Sequence, residues 1–203
     1  MPARGAGHPA PQELVKIGIS GTFGVGKSVL ARLLGEELRL PVIGGAAASV
    51  AVRLGVKDVG EFVRDKSLAR EFLIHVLSEQ VAAENACPDG FVSDGTALDC
   101  LACWLACGLN GSELGRTYRA RCLSRRYDVV LYVPLSQNSR ERQEEFASDF
   151  QKFRFRVDQA LRMVLFRFKL VESIVVEGSA REGVALTGTV ARVIEAVRKV
   201  RRT

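Results

Sequence analysis

The chain has 203 residues, with 29 lysines and arginines against 23 aspartates and glutamates, for a net charge of +6. Hydrophobic residues at 47% and charged ones at 26% are the proportions of a globular protein with one well-filled core, which excludes global disorder. No stretch approaches about twenty consecutive apolar residues, which excludes a transmembrane helix. The opening MPARGAGHPAPQE lacks an apolar run after Arg4 and reads as a short disordered leader over residues 1–13 rather than a secretory signal.

From Leu14, LVKIGIS reads as a strand without a polar face, suited to a sheet covered on both sides. It breaks into GTFGVGKS, and a helix follows with Val29, Leu30, Leu33, Leu34 and Leu38 at helical spacing, stopped by Pro41. PVIG is a brief second strand, and GGAAASVAVRLG turns helical after its glycines. Ser67 opens a long amphipathic helix with Leu73, Val76, Leu77 and Val81 on one side. CPDG is a turn, GFVSD a third strand ending on Asp94, and ALDCLACWLACG a helix. A basic helix is expected from about Ser112 to Arg126, then a fourth strand in YDVVLYVP, ended by Pro134. The polar stretch SQNSRERQEEFASD leads into a helix to about Leu170; ESIVVEG is a fifth strand, and a helix closes the chain. Five short apolar strands alternating with helices predict an α/β fold with a mostly parallel sheet, one domain over residues 14–203.

Gly21-Thr22-Phe23-Gly24-Val25-Gly26-Lys27-Ser28 fits the phosphate-binding P-loop pattern G-x-x-x-x-G-K-[ST]. Its glycines allow positive φ and leave amides free to point at phosphate oxygens, and the helix that follows adds its positive N-terminal end. Lys27 is placed to reach the β- and γ-phosphates of ATP or GTP, and the Ser28 hydroxyl to ligate Mg²⁺. A buried strand before the motif and an amphipathic helix after it are the context the motif requires.

Asp94 ends an apolar strand, where ligands sit in parallel sheets, and is a candidate for Mg²⁺; the competing reading makes it the cap of the helix starting near Thr96. Asp99 lies inside that helix and either faces the cleft, toward an acceptor, or is solvated. Arg140 and Arg142, in a lid spanning about residues 135–149, are candidates to bring guanidinium groups onto transferring phosphate. Their neighbours Glu141, Glu144 and Glu145 equally suit an exposed loop.

Cys100-x-x-Cys103-x-x-x-Cys107 has the look of a metal clip, but it falls on an apolar helix with no histidine close in sequence; packed free thiols are the favoured reading. Five cysteines, an odd number, suit a reducing cytoplasmic compartment. Basic residues cluster at Arg116–Arg126, Lys152–Arg156 and Arg198–Arg202. Solvated helix faces explain them, and a nucleic acid or anionic lipid held by the basic C-terminus is a weaker alternative.

The order GTFGVGKS, PVIG, EQVAAE, FVSDGTALD, YDVVLYVP and FRFRVD resembles the P-loop ATPase-domain (AAA-type) family typified by NadR-like nicotinamide riboside kinases, over about residues 14–178. The resemblance implies a five-stranded sheet of order 2-3-1-4-5, a site for ATP or GTP with Mg²⁺, and γ-phosphoryl transfer to a small acceptor. Three departures stand out. Relatives often carry an acid and an Arg after the second strand, where this chain has Gly44, Gly45, Ala46, Ala47 and Ala48. Asp-Arg-Thr at the end of the third strand is here Asp94-Gly95-Thr96. Alignment on Phe153, Arg154, Val157 and Asp158 sets Glu144, Glu145, Phe146 and Ala147 opposite the usual Asp-Gly-hydrophobic-Arg of the lid. Arg53 and Arg64 are possible substitutes for the lost cations. A kinase-like phosphotransferase is therefore expected, with Lys27, Asp94, Arg140 and Arg142 in catalysis. The alternative is a nucleotide-binding switch or scaffold with little transfer.

Overall fold

The computed structural model describes residues 15–58, 60–125, 127–135, 149–167, 172–175 and 183–200. The strands are β1 (Val15–Ser20), β2 (Val42–Ile43), β3 (Gly90–Asp94), β4 (Val129–Tyr132) and β5 (Glu172–Val175). They form one parallel sheet in the order β2-β3-β1-β4-β5. The helices are α1 (Lys27–Leu38), α2 (Ala47–Leu54), α3 (Gly60–Arg64), α4 (Lys66–Asn85), α5 (Ala97–Ala106), α6 (Glu113–Leu123), α7 (Asp149–Arg162) and α8 (Gly183–Val200). A π-helical turn, Met163–Arg167, continues α7. The expected leader, Arg126 and nearly all of the expected lid, with Arg140 and Arg142, lie outside the described residues.

Side chains alternate across the sheet, so its two faces feed two cores. On one face Ile17 and Ile19 of β1 and Val129 and Leu131 of β4 pack with Leu30 and Leu34 of α1 and Val193 and Val197 of α8. On the other, Phe91 of β3 and Val130 and Tyr132 of β4 meet α4, α5 and α7 through residues such as Leu77, Trp104 and Leu161. Burial on both faces explains the near-continuous apolar strands. Among the described residues no helix is long and apolar enough to cross a membrane.

Elements depart from the sequence reading mostly at their ends. α1 stops at Leu38, before Pro41, because Arg39 turns left-handed (φ 54°) and caps the helix with its N–H. Val29, expected on the buried stripe, is exposed, since the inward face of α1 runs through Leu30, Ala31 and Leu34. α4 begins one residue before Ser67: Asp65 is the N-cap, its carboxylate accepting from the N–H groups of Ser67 and Leu68. α3 is too short for periodicity to reveal it.

The start of α5 lies directly against β1. A Cβ on Gly18 would stand 2.6 Å from Cγ2 of Thr96 and 3.1 Å from the Tyr127 ring, so glycine is what admits that approach. It brings the carboxyl ends of β1 and β3, the P-loop and the first turn of α5 to one place.

Candidate functional site

The P-loop spans the end of β1 and the start of α1. Gly24 (φ 72°) and Gly26 (φ 97°) adopt the left-handed conformation that a side chain would strain. Lys27 curls back over the loop, donating from Nζ to the carbonyls of Gly21 (2.7 Å) and Thr22 (3.0 Å). Beside the loop runs a cleft of about 300 Å³. Thr22, Lys27, Ser28, Asp94 and Asp99 all line it, so the predicted Mg²⁺ pair, Ser28 and Asp94, borders one space. The Thr22 Oγ1 is buried with no hydrogen-bond partner among the described residues. An orphaned hydroxyl in a glycine-rich loop that feeds a helix N-terminus is a donor that an anion satisfies.

Asp94 does not cap α5, which overturns that alternative. Thr96 does so: its Oγ1 accepts from the N–H groups of Leu98 and Asp99 (each 3.2 Å), and the Asp99 carboxylate accepts in return from the Thr96 N–H (3.0 Å). Asp94 is left half-buried on the cleft wall.

Asp99 is not a solvated helix position. Its other oxygen accepts from the Gly21 N–H at 3.1 Å, tying α5 to the first residue of the P-loop. Burial raises its carboxyl to about 6, against the pull of Lys27 and of the two backbone donors. Position three of a helix after Thr is a capping-box signal, and T-A-L-D carries it.

α7, whose residues anchored the family alignment and carry the second basic cluster, supplies a wall. Phe153 stacks on Phe23 of the P-loop, with ring centroids 6.4 Å apart. Arg154, half-buried, holds its Nη2 3.7 Å from where a Cβ on Gly24 would stand. Its guanidinium also lies 5.7 Å from the Phe150 ring centroid and donates to Gln151 (3.3 Å). Part of the second basic cluster is thus positioned beside the phosphate loop instead of being a solvated face. The helical spacing of Phe150, Phe153, Arg154 and Val157 was the available signal.

Arg53 and Arg64 do not line the cleft. Arg53 pairs with Glu79, and Arg64 approaches Asp58 at 3.6 Å. Gly45, Ala46, Ala47 and Ala48 do line it, so the missing acid and Arg after β2 leave a smooth, uncharged wall.

Apolar side chains also line the cleft, Phe72, Leu73 and Val76 from α4 and Cys100 and Cys103 from α5. One polar side chain of α4 lines it with them. Gln80 is 3% exposed and its Nε2 donates to Glu84 Oε1 (2.9 Å) and Ser93 Oγ (2.7 Å). Glu84 is itself buried, accepting from the Tyr127 hydroxyl (2.6 Å) and from Nε of Arg125 (2.9 Å). The Tyr127 hydroxyl in turn accepts from the N–H of Ala97. The cysteines are free thiols, raised by burial at Cys100, Cys103, Cys107 and Cys122. Among the described residues no group of His, Cys, Asp or Glu is arranged to hold a metal on its own.

The sheet order and the P-loop cleft define a P-loop kinase-like fold, and solved structures agree. No family model matches the chain, and no curated protein matches it. A NadR protein in complex with NR aligns with TM-score 0.66 at 16% identity, covering 92% of this chain and 52% of that one. The deoxyadenosine kinase from M. mycoides, with products dCMP and dCDP, aligns with TM-score 0.63 at 15% identity, covering 91% and 99%. Thymidylate kinase from Candida albicans aligns with TM-score 0.60 at 14% identity, covering 93% and 94%. The chain thus spans about half the length of the NadR protein and nearly the whole of the two kinases. It has the nucleoside/nucleotide kinase-like P-loop fold.

Proposed function

We propose that the chain is a phosphotransferase that binds ATP or GTP with Mg²⁺ and passes a γ-phosphoryl group to a nucleoside-like acceptor. The observation that carries this reading is one cleft lined both by the cation-bearing P-loop and by apolar side chains of α4 and α5. Lys27 leaves its two loop carbonyls for phosphate oxygens, Thr22 gains a partner for its orphaned hydroxyl, and Ser28 and Asp94 would hold the metal. Arg154 supplies a second cation at Gly24, and Arg140 and Arg142 of the lid remain proposed to deliver further positive charge to the phosphates. Bound Mg²⁺ would offset charge on the transferring group. The AAA-type kinship, a NadR-like acceptor and a cytoplasmic setting stand as parts of the same proposal.

Binding and transfer are separable here. Thermal shifts with ATP and GTP, each with and without Mg²⁺, should show stabilisation, and product analysis on the better ligand should show transfer. Lys27→Ala should lower turnover by a hundredfold or more; unchanged turnover in that variant would sink the mechanism. The uncharged wall from Gly45 to Ala48 favours a second reading, a nucleotide-binding switch without transfer. Tight nucleotide binding with no product from any acceptor would select it. Binding of nucleic acid or lipid by the basic C-terminus is kept only as a subsidiary proposal.

A further inference from the structure

The part of the cleft lined by α4 holds a polar group, Gln80, whose orientation is set by its neighbours. Glu84 is an acceptor when ionised, and Arg125 and Tyr127 hold it in that role. Only the Nε2 end of the Gln80 amide can therefore face Glu84, because a flipped amide would oppose oxygen to carboxylate. Both Nε2 hydrogens are then committed, one to Glu84 and one to Ser93. Oε1 makes no hydrogen bond among the described residues, although the side chain is almost wholly buried and lines the cleft. Oε1 keeps some exposure to the cleft, where a ligand N–H can replace water as its donor.

The charge on the cleft wall limits what else the ligand carries. Among the described lining residues the charged groups are Lys27, Asp94 and Asp99. Lys27 belongs to the P-loop and Asp94 is assigned to Mg²⁺, so the rest of the described wall offers a second phosphate no cation, only the Asp99 carboxylate. A monophosphate, with about two negative charges, would meet repulsion there; an uncharged sugar and base would not. Phe72, Leu73 and Val76 on one side and Cys100 on the other suit the faces and edges of a planar ring.

We infer that Gln80 is a specificity-determining residue: its Oε1, held toward the cleft by Glu84 and Ser93, accepts from the exocyclic amino group of a neutral nucleoside, and a nucleoside monophosphate is rejected. This rests on the phosphotransferase reading for its reaction, but the recognition is a property of binding and is measured as such. Glu84 is a positioning residue, acting through Gln80.

The test uses the full chain and pairs of ligands differing in one donor: adenosine against purine riboside, and cytidine against the pyrimidin-2-one riboside. Calorimetry with a non-hydrolysable ATP or GTP analogue and Mg²⁺ present should show at least one amino-bearing nucleoside binding tenfold or more tighter than its donor-less partner. The corresponding monophosphate should bind at least tenfold more weakly. Glu84→Gln frees the amide to flip, so the preference within each pair should fall toward unity while ATP or GTP binding is retained. Equal binding within both pairs, tighter binding of the monophosphate, or no nucleoside binding at all would overturn the inference. Should Glu84→Gln fail to fold, the ligand pairs on the unaltered chain decide the matter alone. Failure of the phosphotransferase reading appears differently, as nucleoside binding without transfer from bound ATP or GTP.

Discussion

Asp99 concentrates several demands on one carboxylate. It closes the capping box of α5, accepts from Gly21 of the P-loop, and stands near Lys27. Burial is the largest influence and raises its carboxyl from 3.8 to about 6. The folded state therefore holds this proton more firmly than the unfolded chain does. Its contribution to stability declines as pH rises from about 4 to about 6, and the full penalty is present above that window. With allowance for screening at the cleft mouth, the change is on the order of 2 kcal/mol. Urea titrations of the wild type and Asp99→Asn should show the variant gaining that much relative stability between pH 4 and pH 7; a pH-independent difference would contradict the assignment. The sequence marked Asp99 only as a helix position that faces the cleft or is solvated, and did not reveal its burial, because the packing of α5 on β1 depends on Gly18 and Tyr127, far away in the chain.

Elements show the same division. The P-loop helix and the Asp94 strand were legible because strand, glycine loop and amphipathic helix follow one another within a single segment. The Arg154 wall and the Gln80 network were not, since each depends on side chains from elements distant in sequence: α7 against the loop, and α4 against β3 and the segment after α6. α5 is held at its N-terminus by Thr96, which also shares a hydrogen bond with Ser20 of β1 at 2.7 Å. Thr96→Ala should cost about 1–2 kcal/mol through the lost cap, read as a lower denaturation midpoint with an unchanged slope. Gly18→Val should cost more, about 1–3 kcal/mol or beyond, because the added methyls meet Thr96 and the Tyr127 ring.

At the scale of the molecule, an α/β class with a parallel sheet followed from strand and helix alternation, and the order 2-3-1-4-5 came with the family resemblance; both match the structure. What the pattern of residues does not specify is which helices share a face, since that depends on where each crossover lands. The core behind the P-loop joins Val15–Ser20 and α1 to Val193 and Val197 of α8, the start of the described chain to its end. During synthesis the strands and helices of the opposite face emerge first, while Leu30 and Leu34 wait for α8. The P-loop helix is thus braced by α8, the last of the described helices. A chain lacking residues 183–203 should retain much of its helical circular dichroism yet expose α1 to rapid amide exchange, so the P-loop helix acquires its protection only once α8 has been made.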